Sequence, residues 1–391
     1  MEMELLLEQQ PGVAMMASDA ASLVLSRLPH PDTAAADVAA FVDAATGGGG
    51  SLSFLALRRG ALSLASGLRL GLGLRRGDAV LIILSPASNP LLLPQIVLGV
   101  LAAGCVVVVA AGPDVEISAA AHSSGAVIIV AEPGEVATKA AGAGVPVLLT
   151  SRSPDPRTLS AEELIEGGGD PLEDRPRPSP SDVAFVAYSS STATMMTHAD
   201  LIAAMIMSHD DVLQVEGGRV CLASLPICSS SSVHGLPLLA LGLPAAGTTT
   251  VLMAPPSDPR AARDAVAAHG ATDVVATPEA AAVFLAAAMP LDDNLSSLRR
   301  VVIVAPLPLA AEARLEFHRR LPWVELTELF ATPQNQTMTA SPSHEDLHLG
   351  LGTPPPVLTQ TDAALMIQNN SQPADQASVT REIAAPHIIK N

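Results

Sequence analysis

Lysine is almost missing from this chain of 391 residues: Lys139 and Lys390 are the only two. Aromatic residues are scarce as well, with six Phe, one Tyr and one Trp. The buried area that aromatic rings normally supply therefore has to come from aliphatic side chains and alanine. Three cysteines, Cys105, Cys221 and Cys228, form no pairable framework and no CxxC. That excludes a disulfide-stapled fold and a cysteine-bound zinc, and it points to a reducing compartment. Charged residues make up 15% of the chain, too few for a solvated coiled coil or a disordered polyelectrolyte. Positive charge is the scarcer sign, since the formal net charge is −18 and the pI is near 4.8. Such a surface repels phosphate backbones and anionic lipid, so nucleic-acid and membrane-surface roles are set aside.

What is abundant is apolar. Hydrophobic residues are 49% of the chain and mean hydropathy is +0.38, enough for a large core divided among two or three domains, or one large domain with subdomains. Glu2, Glu4 and Glu8 surround the short apolar start and argue against an export signal, and residues 388–391 are no peroxisomal address, so a cytoplasmic location is expected. Residues 91–112 are apolar enough to suggest a membrane span. Pro94 and the Gly104-Cys105 junction instead divide them into a helix over 95–103 and a β-branched strand over 106–109.

The pattern repeats along the chain. A helix is predicted within 31–46, with Asp32 or Thr33 as its cap, followed by a flexible break at Gly47–Gly50. Helices over 55–67 and 116–123 then alternate with strands over 79–85, 126–131 and 145–150. A polar, Pro-rich stretch fills 151–182. Beyond it, strands over 183–188, 219–224, 249–253, 273–277 and 300–305 alternate with helices over 198–213, 259–269, 279–288 and 311–320. Long helical segments between short, doubly apolar strands specify an α/β fold, with mixed, mostly parallel sheets covered on both faces. The division expected is a helical segment and glycine linker over 1–50, a first α/β subdomain over 51–180, a second over 181–345, and a weakly structured tail over 346–391 with one weak strand at 363–367.

Three motifs invite a chemical reading. The run Tyr188-Ser189-Ser190-Ser191-Thr192-Ala193-Thr194 follows a buried strand and precedes a helix, where hydroxyls and N–H groups cradle phosphates. It has no glycine and no lysine, so by composition it reads as a Ser/Thr-rich turn. His-Glu-Asp-Leu-His at 344–348 matches HExxH, but Pro342 before it and Gly350, Gly352 and three prolines after it leave barely one helical turn, so a solvated loop is expected in place of zinc. His234 is a lone imidazole in a serine-rich loop, and no GxSxG nucleophile elbow is present.

Taken in order, SLSFLALRRGALSLASGLRLGLGLRRGDAVLIIL, VLAAGCVVVVA, the Tyr-Ser-Ser run with Thr197-His198, Leu225-Pro226, LSSLRRVVIVAPLPL and RLPWVEL resemble the plant 4-coumarate–CoA ligase and ligase-like family of AMP-forming acyl-adenylate enzymes. The resemblance covers roughly residues 20–340. It implies the large N-terminal domain of the acyl-adenylate-forming fold, without the C-terminal lid domain. It also implies an activity in which a carboxylic acid, such as a hydroxycinnamate or fatty acid, reacts with Mg²⁺-ATP to give acyl-AMP, followed by transfer to coenzyme A. By the same resemblance Ser189, Ser190, Ser191, Thr192, Ala193 and Thr194 would contact phosphate, Ala305 would line the acyl site, and Glu328, Leu329, Phe330, Ala331 and Thr332 would border the adenine.

The departures carry information. The family's phosphate loop reads approximately YSSGTTGxxKGVMxTH; here Ser191 and Thr194 replace its early glycines, and a short run containing its lysine is absent before Met195. Ser229 occupies the place of a histidine, and His234 is the nearest substitute. Pro333 and Gln334 stand where the family has a threonine and a magnesium-binding glutamate, and Mg²⁺ prefers carboxylate and water oxygens. Impaired turnover is therefore expected. A non-catalytic ligand-binding or interaction module, and a decayed or mispredicted gene product, are the alternatives.

Overall fold

The computed structural model describes residues 19–44, 50–83, 89–110, 116–155, 157–167, 177–188, 193–207, 219–224, 235–253, 259–287, 295–305, 309–331 and 338–342. In chain order they form α1 (Ala20–Arg27), β1 (Ala39–Asp43), β2 (Ser51–Ser53), α2 (Phe54–Ser66), β3 (Ala79–Ile83), α3 (Leu92–Ala102) and β4 (Val106–Ala110). Next come α4 (Ile117–Ser124), β5 (Ala126–Ala131), α5 (Glu135–Ala141), β6 (Val147–Leu149), α6 (Ala161–Glu166), β7 (Val183–Tyr188), β8 (Ala193–Thr197) and α7 (His198–Met207). After β9 (Val220–Ser224), a helical run over 235–245 contains a π turn, Leu238–Gly242. The remainder is β10 (Thr249–Leu252), α8 (Pro259–His269), β11 (Asp273–Ala276), α9 (Pro278–Ala287), β12 (Arg300–Ala305), α10 (Ala311–Arg320), β13 (Glu325–Ala331) and β14 (Met338–Pro342).

The strands build two sheets. The larger has the order β14-β13-β12-β11-β9-β10-β1-β2 and the smaller β6-β5-β3-β4-β7-β8. Pairing is parallel throughout except for β2 and β14 at the two edges of the larger sheet and β8 at one edge of the smaller. The sheets interleave along the chain: β1 and β2 join the larger, while β7 and β8 join the smaller. Sheet membership thus changes between β2 and β3 and again between β8 and β9.

Side-chain alternation explains the layering, because successive residues of a strand point to opposite faces. In β4, Val107 and Val109 enter a core shared with the larger sheet, whereas Val106, Val108 and Ala110 enter a second core. The shared core holds α1, α2, α3, α7 and the 235–245 run. Helices α4 and α5 cover the far face of the smaller sheet, and α8, α9 and α10 that of the larger. Strands covered on both sides read as unbroken apolar runs, which is why 79–83 and 106–110 were visible in the sequence. The apolar run at 91–112 divides as expected, with Gly104 at φ 77° turning α3 into β4. Among the described residues no helix is long and apolar enough to cross a membrane.

The helix predicted within 31–46 does not form. A short 3₁₀ turn (Ala34–Asp37) leads into β1, and Thr33 makes no capping hydrogen bond. Alanine-rich sequence favours helix locally, but Phe41 is fully buried in the shared core and β1 gains a parallel partner in β10. That long-range pairing outweighs propensity. Several elements went unpredicted, among them α6, whose Ser160 and Glu163 form a reciprocal capping box.

The helices of the shared core pack closely. A Cβ placed on Gly99 of α3 would lie 2.8 Å from Leu64 Cδ2 and 3.0 Å from the Ala61 carbonyl oxygen of α2. Gly99→Val should destabilise the protein by about 1–3 kcal/mol, the usual cost of overpacking, as read from urea denaturation; an unchanged midpoint would mean the two helices can separate at no cost.

Candidate functional site

The Tyr-Ser-Ser run lies on a hairpin at the edge of the smaller sheet. Strand β7 pairs with β4 on one side, Ala110 opposite Tyr188, and with β8 on the other. Tyr188 stands opposite Ala193 and Ala187 opposite Thr194, so Ser189, Ser190, Ser191 and Thr192 connect the two arms; those four lie outside the described residues. Strand β8 falls where only a Ser/Thr loop was expected. Its Met195 and Met196 are both buried, one in each core flanking the sheet, a period-2 pattern too short to stand out in the sequence. Tyr188 is fully buried, and burial pushes its phenol above the usual range, partly offset by the Ser123 hydroxyl.

The far end of the hairpin is held by charge and caps. The Thr197 N–H and hydroxyl both donate to Asp200 Oδ2, at 2.8 and 2.7 Å, and the Asp200 N–H returns a bond to Thr197 Oγ1 at 3.1 Å. Thr197 is thus the helix cap of α7, a Thr-x-x-Asp pattern that was legible in the sequence. The His198 N–H donates to the Asp182 carbonyl at 3.0 Å. The Asp182 carboxylate accepts from the Arg76 guanidinium and from the Ser179 N–H. His198 Nδ1 accepts the Ala20 N–H at 3.2 Å.

The other marked residues meet at the ends of β12 and β13. Ala305 stands opposite Phe330 and Val304 opposite Leu329, while β14 closes the other side with Thr339 opposite Phe330 and Met338 opposite Ala331. Helix α7 packs against β14, so the hairpin of the smaller sheet and this corner of the larger become neighbours. The carboxyl ends of parallel strands are where open α/β sheets bind ligands. Thr332, Pro333, Gln334, His234 and the 344–348 motif lie outside the described residues.

Glu328 is the one carboxylate of this strand end whose geometry is described, and its oxygens are engaged. Oε1 accepts from Arg314 Nε at 2.6 Å, and Oε2 accepts from Arg314 Nη2 at 3.3 Å and from the Leu309 N–H at 2.8 Å. The carboxylate faces α10 and joins β13 to the start of that helix. Arg314 could not have been assigned this role from sequence, because nothing in the spacing of two residues on different elements marks them as partners. Among the described residues no cluster of three or more His, Cys, Asp or Glu could hold a metal ion. A small apolar void also lies inside the shared core, between Leu201 and Met205 of α7 and Pro237, Leu238 and Leu241. The thiols of Cys105 and Cys221 are buried, and burial raises both above their ordinary range.

The sequence profile of the AMP-binding enzyme family matches residues 30–360. The 4-coumarate–CoA ligase-like 3 protein of Oryza sativa subsp. japonica is 33% identical over 297 residues, covering 68% of this chain and 48% of that protein. The 4-coumarate–CoA ligase-like 6 protein of Arabidopsis thaliana is 30% identical over 254 residues, covering 60% of this chain and 42% of that protein. The chain spans about half the length of these relatives. Among solved structures, apo MatB from Rhodopseudomonas palustris superposes with a TM-score of 0.67 at 19% identity, covering 85% of this chain and 63% of its own. Its ATP-bound form gives 0.66 at 20%, covering 83% and 62%. These structural likenesses carry the fold.

The Glu328–Arg314 contact makes a quantitative prediction. Glu328→Gln and Arg314→Ala, made singly and together, should give a coupling of about 1–2 kcal/mol in a double-mutant cycle of urea stability, because charged hydrogen bonds are discounted where one partner is partly exposed. Strictly additive effects would mean that the ion pair does not hold β13 to α10.

Proposed function

Because the chain belongs to the AMP-binding enzyme family, we propose that it carries the ATP- and acid-binding part of a carboxylate–CoA ligase, and that turnover in this copy is impaired. In the proposed reaction a carboxylate oxygen attacks the α-phosphorus of ATP, forming acyl-AMP and releasing pyrophosphate. The coenzyme A thiol then attacks the acyl carbon, forming the thioester and releasing AMP and a proton. Negative charge develops on phosphate oxygens in the first step, so preorganised donors and cations dominate its catalysis.

The residues of this chain supply part of that set. Hydroxyls and N–H groups of Ser189 to Thr194, carried between the arms of the β7–β8 hairpin, are assigned to phosphate. Leu329, Phe330 and Ala331, beside Ala305, are assigned to the adenine and acyl sides. His234 is a weaker candidate in place of the absent histidine.

The observation that carries the proposed impairment is that Gln334 stands where the family has its magnesium-binding glutamate. The phosphate run likewise has no lysine, and Glu328 is engaged by Arg314 and the Leu309 N–H. Of the two lysines, Lys139 is paired with Glu135 on α5 at 2.8 Å, far along the chain from the hairpin. A donor of this kind contributes about 10²- to 10³-fold to rate, so two missing together leave little turnover. The same observation favours a second reading, a non-catalytic module that retains ligand binding.

Calorimetry with a stable acyl-adenylate analogue, run beside acid-dependent pyrophosphate exchange, distinguishes these readings. Analogue binding with exchange reduced by at least about 10²-fold relative to an intact ligase is expected. Exchange at the level of an intact ligase would refute the impairment, and failure to bind the analogue would refute nucleotide binding itself.

A further inference from the structure

His198 is 1% exposed and opens α7 directly after the hairpin arm β8. Its Nδ1 accepts the backbone N–H of Ala20, a residue 178 positions earlier. Ala20 is the first residue of α1, where helix geometry leaves N–H groups without internal partners. Asp19, one residue before, caps the same helix by accepting from Ser22 N–H at 2.8 Å. One imidazole nitrogen therefore links the start of the first helix to the junction of the hairpin and α7. Nδ1 accepts only when it bears no proton, so the ring is neutral with its proton on Nε2.

We propose that His198 is a positioning residue: its neutral ring clamps α1 to the β8–α7 junction and so holds the hairpin arms, and protonation opens the clamp. A protonated Nδ1 would point an N–H at the Ala20 N–H, turning one hydrogen bond into two opposed donors in a buried site. The charged groups facing the ring are Asp19 from the cap of α1, Asp182 from the segment before β7, and Arg76 from the segment before β3. On its own helix Asp200 is engaged by Thr197. Arg27 lies at the opposite end of α1, and Tyr188 is the ionisable residue of β7. The π turn Leu238–Gly242 and strand β14 have no ionisable residues. Burial lowers the His198 pKa below its ordinary value against the opposing pull of Asp19 and Asp182. The sign follows: stability from the neutral ring is complete above about pH 6.5 and is lost as pH falls toward the lower folded-state value.

The clamp stands independently of the ligase reading, and the test keeps the two apart. Amide hydrogen exchange, normalised to intrinsic rates, is measured at the start of α1 and along β8 for the full chain and for His198→Asn, His198→Gln and His198→Ala. Asparagine Oδ1 occupies the place of Nδ1 and cannot be protonated in this range, whereas the glutamine oxygen reaches one bond too far. In the parent chain, protection at both segments should fall between about pH 7.5 and about pH 5.5, by no more than about tenfold, the ceiling that an ordinary histidine value near 6.5 sets at the lower pH. His198→Asn should keep the parent's neutral-pH protection at both pH values, and His198→Ala and His198→Gln should lose it at both. If the alanine variant does not fold, the contrast between asparagine and glutamine and the parent's own pH series still decide. Protection independent of pH in the parent, or an asparagine variant no better protected than glutamine, overturns the clamp. Failure of the parent to bind an acyl-adenylate analogue would count against the ligase reading and leave this exchange result unaffected.

Discussion

The apolar layer between the two sheets is the constraint on which the rest of the structure depends. A parallel sheet must be covered on both faces, and here one layer of helices covers an inner face of each sheet at once. Its material is aliphatic, because the chain has almost no aromatic rings to fill space. Small residues do the fitting: Gly99 and Ala61 let α3 approach α2 closely, and Ala102, Ala103 and Ala184 lie in the same core with no exposure. The few large rings are buried where layers meet, as with Phe41, Phe185 and Tyr188.

That shared layer also decides where the candidate site lies. Because α7 belongs to it and leaves directly from the hairpin of the smaller sheet, the hairpin is fixed relative to β12, β13 and β14 of the larger. The electrostatics of the corner are then set by few groups. Arg314 and the Leu309 N–H satisfy Glu328, Arg76 satisfies Asp182, and Thr197 satisfies Asp200. Each of these carboxylates stabilises backbone geometry.

Legibility followed burial symmetry. Strands β3, β4, β5, β7 and β12 were readable because both faces are apolar and β-branched residues are concentrated in them. Strand β8 was not, since its two methionines alternate across five residues among polar neighbours and its strand character comes from pairing with β7. Strand β1 was read as helix for the opposite reason: its alanines have helical propensity, and pairing with β10 on one side and β2 on the other selects the extended form. Of the candidate site, the Tyr-Ser-Ser run and the β12–β13 residues were recognisable as motifs. Their proximity was not, nor was the partnership of Glu328 with Arg314 or of His198 with Ala20.

By itself, the order of residues determined the class of fold, the family resemblance and the residue types present in the Tyr-Ser-Ser run and at 333–334, because periodicity, β-branching and side-chain identity are local properties. Tertiary structure alone decided which sheet each strand joins, where the carboxylates find their partners, and which backbone N–H a buried imidazole accepts. Those outcomes depend on contacts between residues far apart in the chain, such as Phe41 with the layer beneath β10 and His198 with Ala20, and no local pattern encodes the energy of a contact whose partner is 178 residues away.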